Sequence, residues 1–107
     1  PLALAYPDVP VILAHMPGEY TLDGLATVEA GRMAPNLFFD TSTCPSSMIG
    51  QAIRELGPDR ILWGSDSPWW DIEIELLKIR VLDLPAADAE LVLGGNARRL
   101  FDLEQLA

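Results

Sequence analysis

One cysteine, one histidine and seven basic residues are all that this 107-residue chain holds of three chemistries that each define whole classes of protein. A lone Cys44 forms no intramolecular disulfide and no Cys-rich metal cluster, which argues against a disulfide-stapled secreted scaffold and for the cytoplasm. Seven Lys and Arg stand against sixteen Asp and Glu, a net charge of −9, and the largest basic grouping is the pair Arg98–Arg99. Phosphate neutralisation requires a basic stripe, so no nucleic-acid partner is expected. No uncharged apolar run approaches the ~20 residues of a membrane span, and no membrane partner is expected either. The opening Pro1-Leu2-Ala3 has no Met, basic stretch or small-residue cleavage site, and reads as neither a signal peptide nor a natural start.

What the chain does have is apolar mass, at 50% hydrophobic residues. That excludes intrinsic disorder, and the length suits a single domain over residues 1–107. A stand-alone domain of this size leaves much of its surface wet, so either its strands are buried on both faces or the chain is part of something larger.

Three short apolar runs stand out: Val9 to His15, Asn36 to Asp40 and Asp59 to Asp66. They are continuous, rich in β-branched or aromatic residues and too short for helices, the signature of buried parallel strands. Their terminal residues His15, Asp40 and Asp66 lie 25 and 26 positions apart. Each interval has room for a helix and two loops, as in a βαβ crossover. Pro45 to Leu56 predicts a helix, with Met48, Ile49, Ala52, Ile53 and Leu56 on one face and Gly57-Pro58 as its stop. Leu22 to Ala34 predicts another, weakened by Gly24 and Gly31. Asp71 to Leu82 alternates at first like a strand, but its length and Ile72, Leu76 and Ile79 favour a helix. The tail from Ala86 to Phe101 reads either as a strand through Leu91-Val92-Leu93 or as two short helices joined at Gly94-Gly95.

Functional groups of parallel α/β folds gather where strands end. Imidazole and carboxylate are the ligand types of a divalent metal and the acid and base groups of proton transfer near neutral pH. His15 and Asp66 are therefore the candidate catalytic and metal-ligating residues. The Gly64-Ser65-Asp66-Ser67-Pro68-Trp69 stretch presents its carboxylate between two hydroxyls, after a permissive glycine and before a stiffening proline. Asp40, followed by Thr41-Ser42-Thr43, suits a cap for the next helix as well as it suits a site residue. Cys44, ahead of Pro45 at a helix start, is a weaker candidate for a thiol paired with His15. Trp63 reads as core, and Trp69-Trp70 as the wall of a pocket or a lid. Gly94-Gly95-Asn96 lacks the Lys and Ser/Thr of a phosphate loop.

The stretches Tyr6 to Met16, Asn36 to Ser42, Gly57 to Pro68 and Leu93 to Phe101 resemble, in order, the C-terminal part of amidohydrolase-related proteins. That group of metal-dependent hydrolases also includes aminocarboxymuconate-semialdehyde-type and resorcylate-type decarboxylases. The resemblance runs through nearly the whole chain, and its Gly-Ser-Asp-x-Pro and Gly-Gly-Asn-Ala-x-Arg-Leu-Phe elements are specific when found together. It implies an α/β fold: strands six to eight and the terminal helices of a (β/α)8 barrel, with a helical tail.

In that frame Asp66 matches the eighth-strand aspartate, which binds metal and helps activate water or a substrate proton. His15 matches the sixth-strand histidine, a metal ligand in two-metal members and an acid/base in one-metal decarboxylases. Asp40-Thr41-Ser42 matches a seventh-strand segment with no transferable role. The expected cofactor is a divalent metal, Zn2+ first and Mn2+ or Mg2+ as alternatives. The expected activity is hydrolysis of a small carboxylated or cyclic substrate, with non-oxidative decarboxylation as the alternative and an inactive fragment as a third reading. Two departures stand out. Met16 is followed by Pro17-Gly18 where the family has a hydrophobic residue and Gly, and the first-strand His-x-His and fifth-strand ligand have no counterpart here. The implied partners are a small-molecule substrate, the missing N-terminal barrel half and, as a further possibility, a second copy of the chain.

Overall fold

The computed structural model describes residues 2–16 and 24–103. The loop that departs from the family at Pro17-Gly18, and the start of the predicted second helix at Leu22, lie outside the described residues. In chain order the elements are α1 (Leu2–Ala5), β1 (Val11–Leu13), α2 (Leu25–Met33), β2 (Leu37–Asp40), α3 (Ser46–Leu56), β3 (Ile61–Leu62), α4 (Ile72–Arg80), α5 (Ala86–Glu90) and α6 (Asn96–Leu100).

The three strands form one parallel sheet in the order β1-β2-β3. Ile12 pairs with Phe38, Phe39 with Ile61 and Asp40 with Leu62. This is the predicted βαβαβ rhythm, with strands shorter than the apolar runs. Pro10 has no N–H for a ladder, and His15 has left the extended region with φ 58°. Ahead of β3, Pro58–Arg60 is a 3-10 turn rather than strand.

Side chains alternate across a strand, so the register defines two faces. Leu37, Phe39 and Ile61 face the helices and are buried in one core with Met48, Ile49, Ala52 and Ile53 of α3. Full burial of a side chain such as Phe39 is worth roughly 1.5–3 kcal/mol. Ile12, Phe38, Asp40 and Leu62 share the opposite face, where Ile12 is 37% exposed. That face is open at Ile12 and closed at Leu62, which is 7% exposed.

α3 forms where its periodicity predicts and ends at Gly57. α2 tolerates Gly31 because a Cβ there would run into the Leu56 side chain of α3; the glycine admits a close helix–helix approach. α4 is a helix, as read, and of its Ile72, Leu76 and Ile79 stripe Ile79 is buried, Leu76 half-buried and Ile72 exposed. Glu75 and Ile79 are buried, while Ile72, Ile74, Leu77 and Val81 are exposed. Glu75 is admitted through an ion pair with Lys78 at 2.8 Å.

The tail is helical, as the resemblance implied. α5 and α6 are joined through a π-helical segment, Leu91–Gly95, that kinks at Gly94. The short α1 has no counterpart among the predicted elements.

Candidate functional site

All three predicted strand-end residues lie past or at the carboxyl ends of their strands, but they do not form one cluster. His15 and Asp40 meet. The Asp40 carboxylate accepts the His15 backbone N–H at 3.1 Å through Oδ2 and the Ser42 N–H at 3.3 Å through Oδ1. It also accepts a short hydrogen bond from the Ser42 hydroxyl. Ser42 Oγ lies 2.9 Å from His15 Nδ1, and the Ser42 carbonyl oxygen lies 3.3 Å from the same nitrogen. Thr43 Oγ1 stands at 3.5 Å. The His15 side chain is 39% exposed, and its Nε2 has no hydrogen-bond partner among the described residues.

The reading of Asp40 as a helix cap is corrected by this geometry. α3 is entered from Pro45 without any side-chain cap, and the Asp40 carboxylate lies on the open face of the sheet, engaged with β1's exit loop. The cause is parity: β2 alternates, so Phe39 enters the core and Asp40 turns to the other side. Gly64, just past β3, is part of the same arrangement. Its N–H donates to Thr41 Oγ1 at 3.2 Å, and a Cβ at this position would collide with Asp40 Oδ1.

Asp66 sits apart, exposed on its loop, with no side-chain partner among the described residues. The Asp66 carbonyl accepts Trp69 N–H at 3.0 Å, and the Ser65 hydroxyl accepts Ser67 N–H at 3.3 Å, so the turn is held without the Asp66 carboxylate, which is exposed. Trp69 and Trp70 are exposed, Trp69 at 83%. His15, Thr43 and Asp66 all have positive φ, at 58°, 67° and 55°. Such backbone costs of order 1–3 kcal/mol per residue and persists where surrounding structure over-determines it.

Cys44 is fully buried, and its thiol donates to the Ser42 carbonyl at 3.5 Å. Burial takes it away from solvent and so removes the accessible thiolate that the weaker candidate pairing required. Trp63 packs against the core, as expected, with its backbone N–H donating to the Val92 carbonyl at 2.9 Å.

Sequence reasoning did not single out Ser42, whose signal lay only in its position two residues beyond a strand-end carboxylate. It also missed three residues that tie the opposite edge of the sheet. Asn36 Nδ2 lies 2.9–3.0 Å from the carbonyls of Ala3, Tyr6 and Val9. Arg60 donates to Gly31, Ala34 and Leu37 carbonyls, each at 2.9 Å, with its guanidinium over the Phe39 ring. Burial pulls the Arg60 pKa below its ordinary value, opposed by neighbouring Asp59. Buried Asn96 donates to the Pro58 and Ile61 carbonyls at 2.7 and 2.8 Å.

A metal was expected, and the donor types fit: an exposed carboxylate and an imidazole with one nitrogen unengaged. The donor number does not suffice. Among the described residues no group of three or more His, Cys, Asp or Glu could hold an ion, and a catalytic zinc takes three protein ligands. Among the same residues no helix is long and apolar enough to cross a membrane.

A small parallel sheet backed by helices, with polar residues at the strands' carboxyl ends, is the plan of an α/β enzyme domain. The chain belongs to the amidohydrolase family, whose model matches residues 1–103. No curated protein matches it. Among solved structures it is similar to a dihydroxybenzoic acid decarboxylase from Polaromonas sp. JS666, determined with bound manganese and the inhibitor 2-nitroresorcinol. The two share 24% identity at a TM-score of 0.73, over 96% of this chain and 36% of that one. It is also similar to a 5-carboxyvanillate decarboxylase from Sphingomonas paucimobilis, at 27% identity and TM-score 0.71, over 94% of this chain and 36% of that one. An amidohydrolase from Burkholderia multivorans gives a TM-score of 0.75 at 17% identity, over 94% of this chain and 47% of that one. The chain thus spans between about a third and a half of the proteins it resembles.

Proposed function

We propose that the chain is the C-terminal part of a (β/α)8 barrel, strands six to eight and the terminal helices, in a metal-dependent enzyme that removes carboxylate as CO2 from a small hydroxylated aromatic acid. Decarboxylation now stands ahead of the hydrolysis that the sequence favoured. The decarboxylases among its structural neighbours, one of them with manganese bound, support that order. They support manganese at least as well as zinc for the metal. The observation that carries the reading is the unengaged Nε2 of a strand-end histidine whose other nitrogen is anchored.

Asp66 would contribute its carboxylate to the metal, with the remaining ligands supplied from outside the described residues; His15 is a further ligand in a two-metal version of the site. The metal, when bound, would grip the substrate and withdraw electron density from it. His15 handles the proton. As the C–C bond breaks, CO2 leaves and the bonding pair stays on the ring carbon, which receives the proton that Nε2 had taken up. The exposed Ile12 side of the sheet fits a face covered by other strands, and the exposed Ile72, Ile74, Leu77 and Val81 fit contact with the rest of the barrel or with a second copy. The lone, buried Cys44 fits a cytoplasmic protein.

The test is made in the complete protein that contains this chain. Bound metal is measured by elemental analysis with and without Asp66→Asn, and hydroxybenzoates are assayed for CO2 release beside esters and lactones for hydrolysis. Loss of metal in the variant and CO2 release from the acids are expected. Unchanged metal content removes Asp66 as a ligand, and hydrolysis without CO2 release returns the enzyme to the hydrolase reading.

A further inference from the structure

We infer that Asp40 and Ser42 act together as positioning residues that fix the tautomer of His15, holding the proton of the neutral ring on Nδ1 and presenting Nε2 as a bare lone pair. The inference deepens the proposed function, since it rests on His15 being the proton-handling group, but its geometry stands without that reading.

The derivation is a count of protons. A serine hydroxyl has one, and an ionised carboxylate has none. Ser42 Oγ and Asp40 Oδ2 are hydrogen-bonded, and that bond needs one donor hydrogen between them. The carboxylate also accepts two backbone N–H groups, the acceptor pattern of the ionised form. The proton is therefore the serine's and points at Asp40. Ser42 Oγ then has only lone pairs left for His15 Nδ1, 2.9 Å away. The second oxygen facing Nδ1, the Ser42 carbonyl at 3.3 Å, can only accept. A bare Nδ1 would face lone pairs from both of these nearer oxygens, with only the Thr43 hydroxyl, at the 3.5 Å limit, able to donate to it; an Nδ1–H satisfies both nearer oxygens, so the hydrogen resides there.

The backbone reinforces this placement. Asp40 holds the His15 N–H, and the Asp40 carbonyl accepts the following N–H, from Met16, at 3.2 Å. Residue 15 is thereby kept at φ 58°, which aims its ring back across the end of β2. Nδ1 cannot exchange its proton without breaking the contacts to Ser42. All proton traffic through the ring is left to Nε2.

Because this chain contributes a single histidine, its ring signals in the complete protein are assigned by their loss in His15→Asn. Long-range 1H–15N correlation spectra of the complete, uniformly 15N-labelled, metal-free protein, at a pH where the ring is neutral, distinguish a protonated from a bare nitrogen. Nε2 is identified by its strong couplings to both ring C–H protons. The expected spectrum has a bare Nε2 and a protonated Nδ1. Ser42→Ala, which leaves the more distant carbonyl and the Thr43 hydroxyl at 3.5 Å, is expected to give a mixture with a several-fold larger Nε2–H population. Ser42→Thr, which keeps the hydroxyl, is expected to restore the parent spectrum. A parent spectrum dominated by Nε2–H, or a ring averaging freely between tautomers, overturns the inference. A Ser42→Ala spectrum identical to the parent's overturns the part assigned to the Asp40–Ser42 pair. None of these readouts requires metal or turnover, so failure of the decarboxylase reading would leave them unchanged.

Discussion

At the edge where the strands start, Asn36, Arg60 and Asn96 direct their donors to backbone carbonyls, whereas at the edge where they finish Asp40, Ser42 and His15 bond largely through one another's side chains. The first arrangement satisfies main-chain groups that would otherwise be left unpaired near the core, a structural need. The second positions a polar network that is half open to solvent and is carried on backbone of positive φ. It leaves one imidazole nitrogen unengaged, and on the same side the exposed Asp66 carboxylate has no hydrogen bond to a described residue. Parallel α/β folds commonly divide their labour this way, with stability at one end and chemistry at the other. The division can be tested by substitutions that should move only one of the two properties.

The largest separation is expected at His15. In the complete protein, His15→Asn should lower turnover by about 10²–10⁴-fold, the range ascribed to a positioned acid or base. Its urea midpoint should barely change, because the His15 side chain is 39% exposed. Loss of stability with retained turnover would make His15 structural. At the opposite edge Arg60→Ala should do the reverse. Removing three hydrogen bonds from a charged donor, and leaving carbonyls of α2 and β2 unpaired, should cost about 3 kcal/mol in chemical denaturation. The turnover of the protein that remains folded should be unchanged. Asn96→Ala, with two buried bonds, should follow at about 2 kcal/mol.

These two edges were unequally legible in the sequence. The continuous apolar runs located all three strands, and the Met48–Leu56 periodicity located α3, because both signals are local. His15 and Asp66 could be proposed from position alone, since a strand's end is visible in the chain. The partners of Asp40 could not: the group it holds is 25 residues away, and which face it occupies depends on the register of β2. The same holds for Arg60 and Asn96, whose acceptors lie between 23 and 38 residues away. The α4 stripe was legible in part: Ile79 is buried and Leu76 half-buried, but Ile72 is exposed, because periodicity finds an apolar stripe without saying how much of it the core takes. Here Glu75 goes inward with Lys78 for a partner, and Ile74 is left outside.

Gly64 probes the junction between β2 and β3 on the site side. Gly64→Ala places a methyl against Asp40 Oδ1, so the carboxylate has to move and its hold on the His15 N–H and the Ser42 hydroxyl loosens. A displacement of this kind typically lowers turnover on the order of tenfold to a hundredfold. Stability should fall little, since the colliding atom ends a short side chain that can swing towards the open face. A steady-state assay alongside a denaturation curve separates the two effects. Unchanged turnover would mean that the geometry around Asp40 does not matter to the reaction.

The smallest effect sharpens the comparison by crossing it. Asp71 follows the Asp66 loop on the site side of the sheet, yet its carboxylate caps α4, accepting the Glu73 N–H at 2.8 Å. It is therefore a structural residue beside the proposed functional ones. Asp71→Ala should cost about 1 kcal/mol, the usual loss of an N-cap, and Asp71→Asn or Asp71→Ser should recover most of it. Turnover and metal content should stay at parent values in all three variants, because the Asp66 turn is closed by Trp69 N–H and Ser67 N–H rather than by Asp71. If Asp71→Ala instead reduces metal content as Asp66→Asn is expected to, the two carboxylates belong to one site. The division between structure and chemistry would then run between the edges of the sheet and not within this loop.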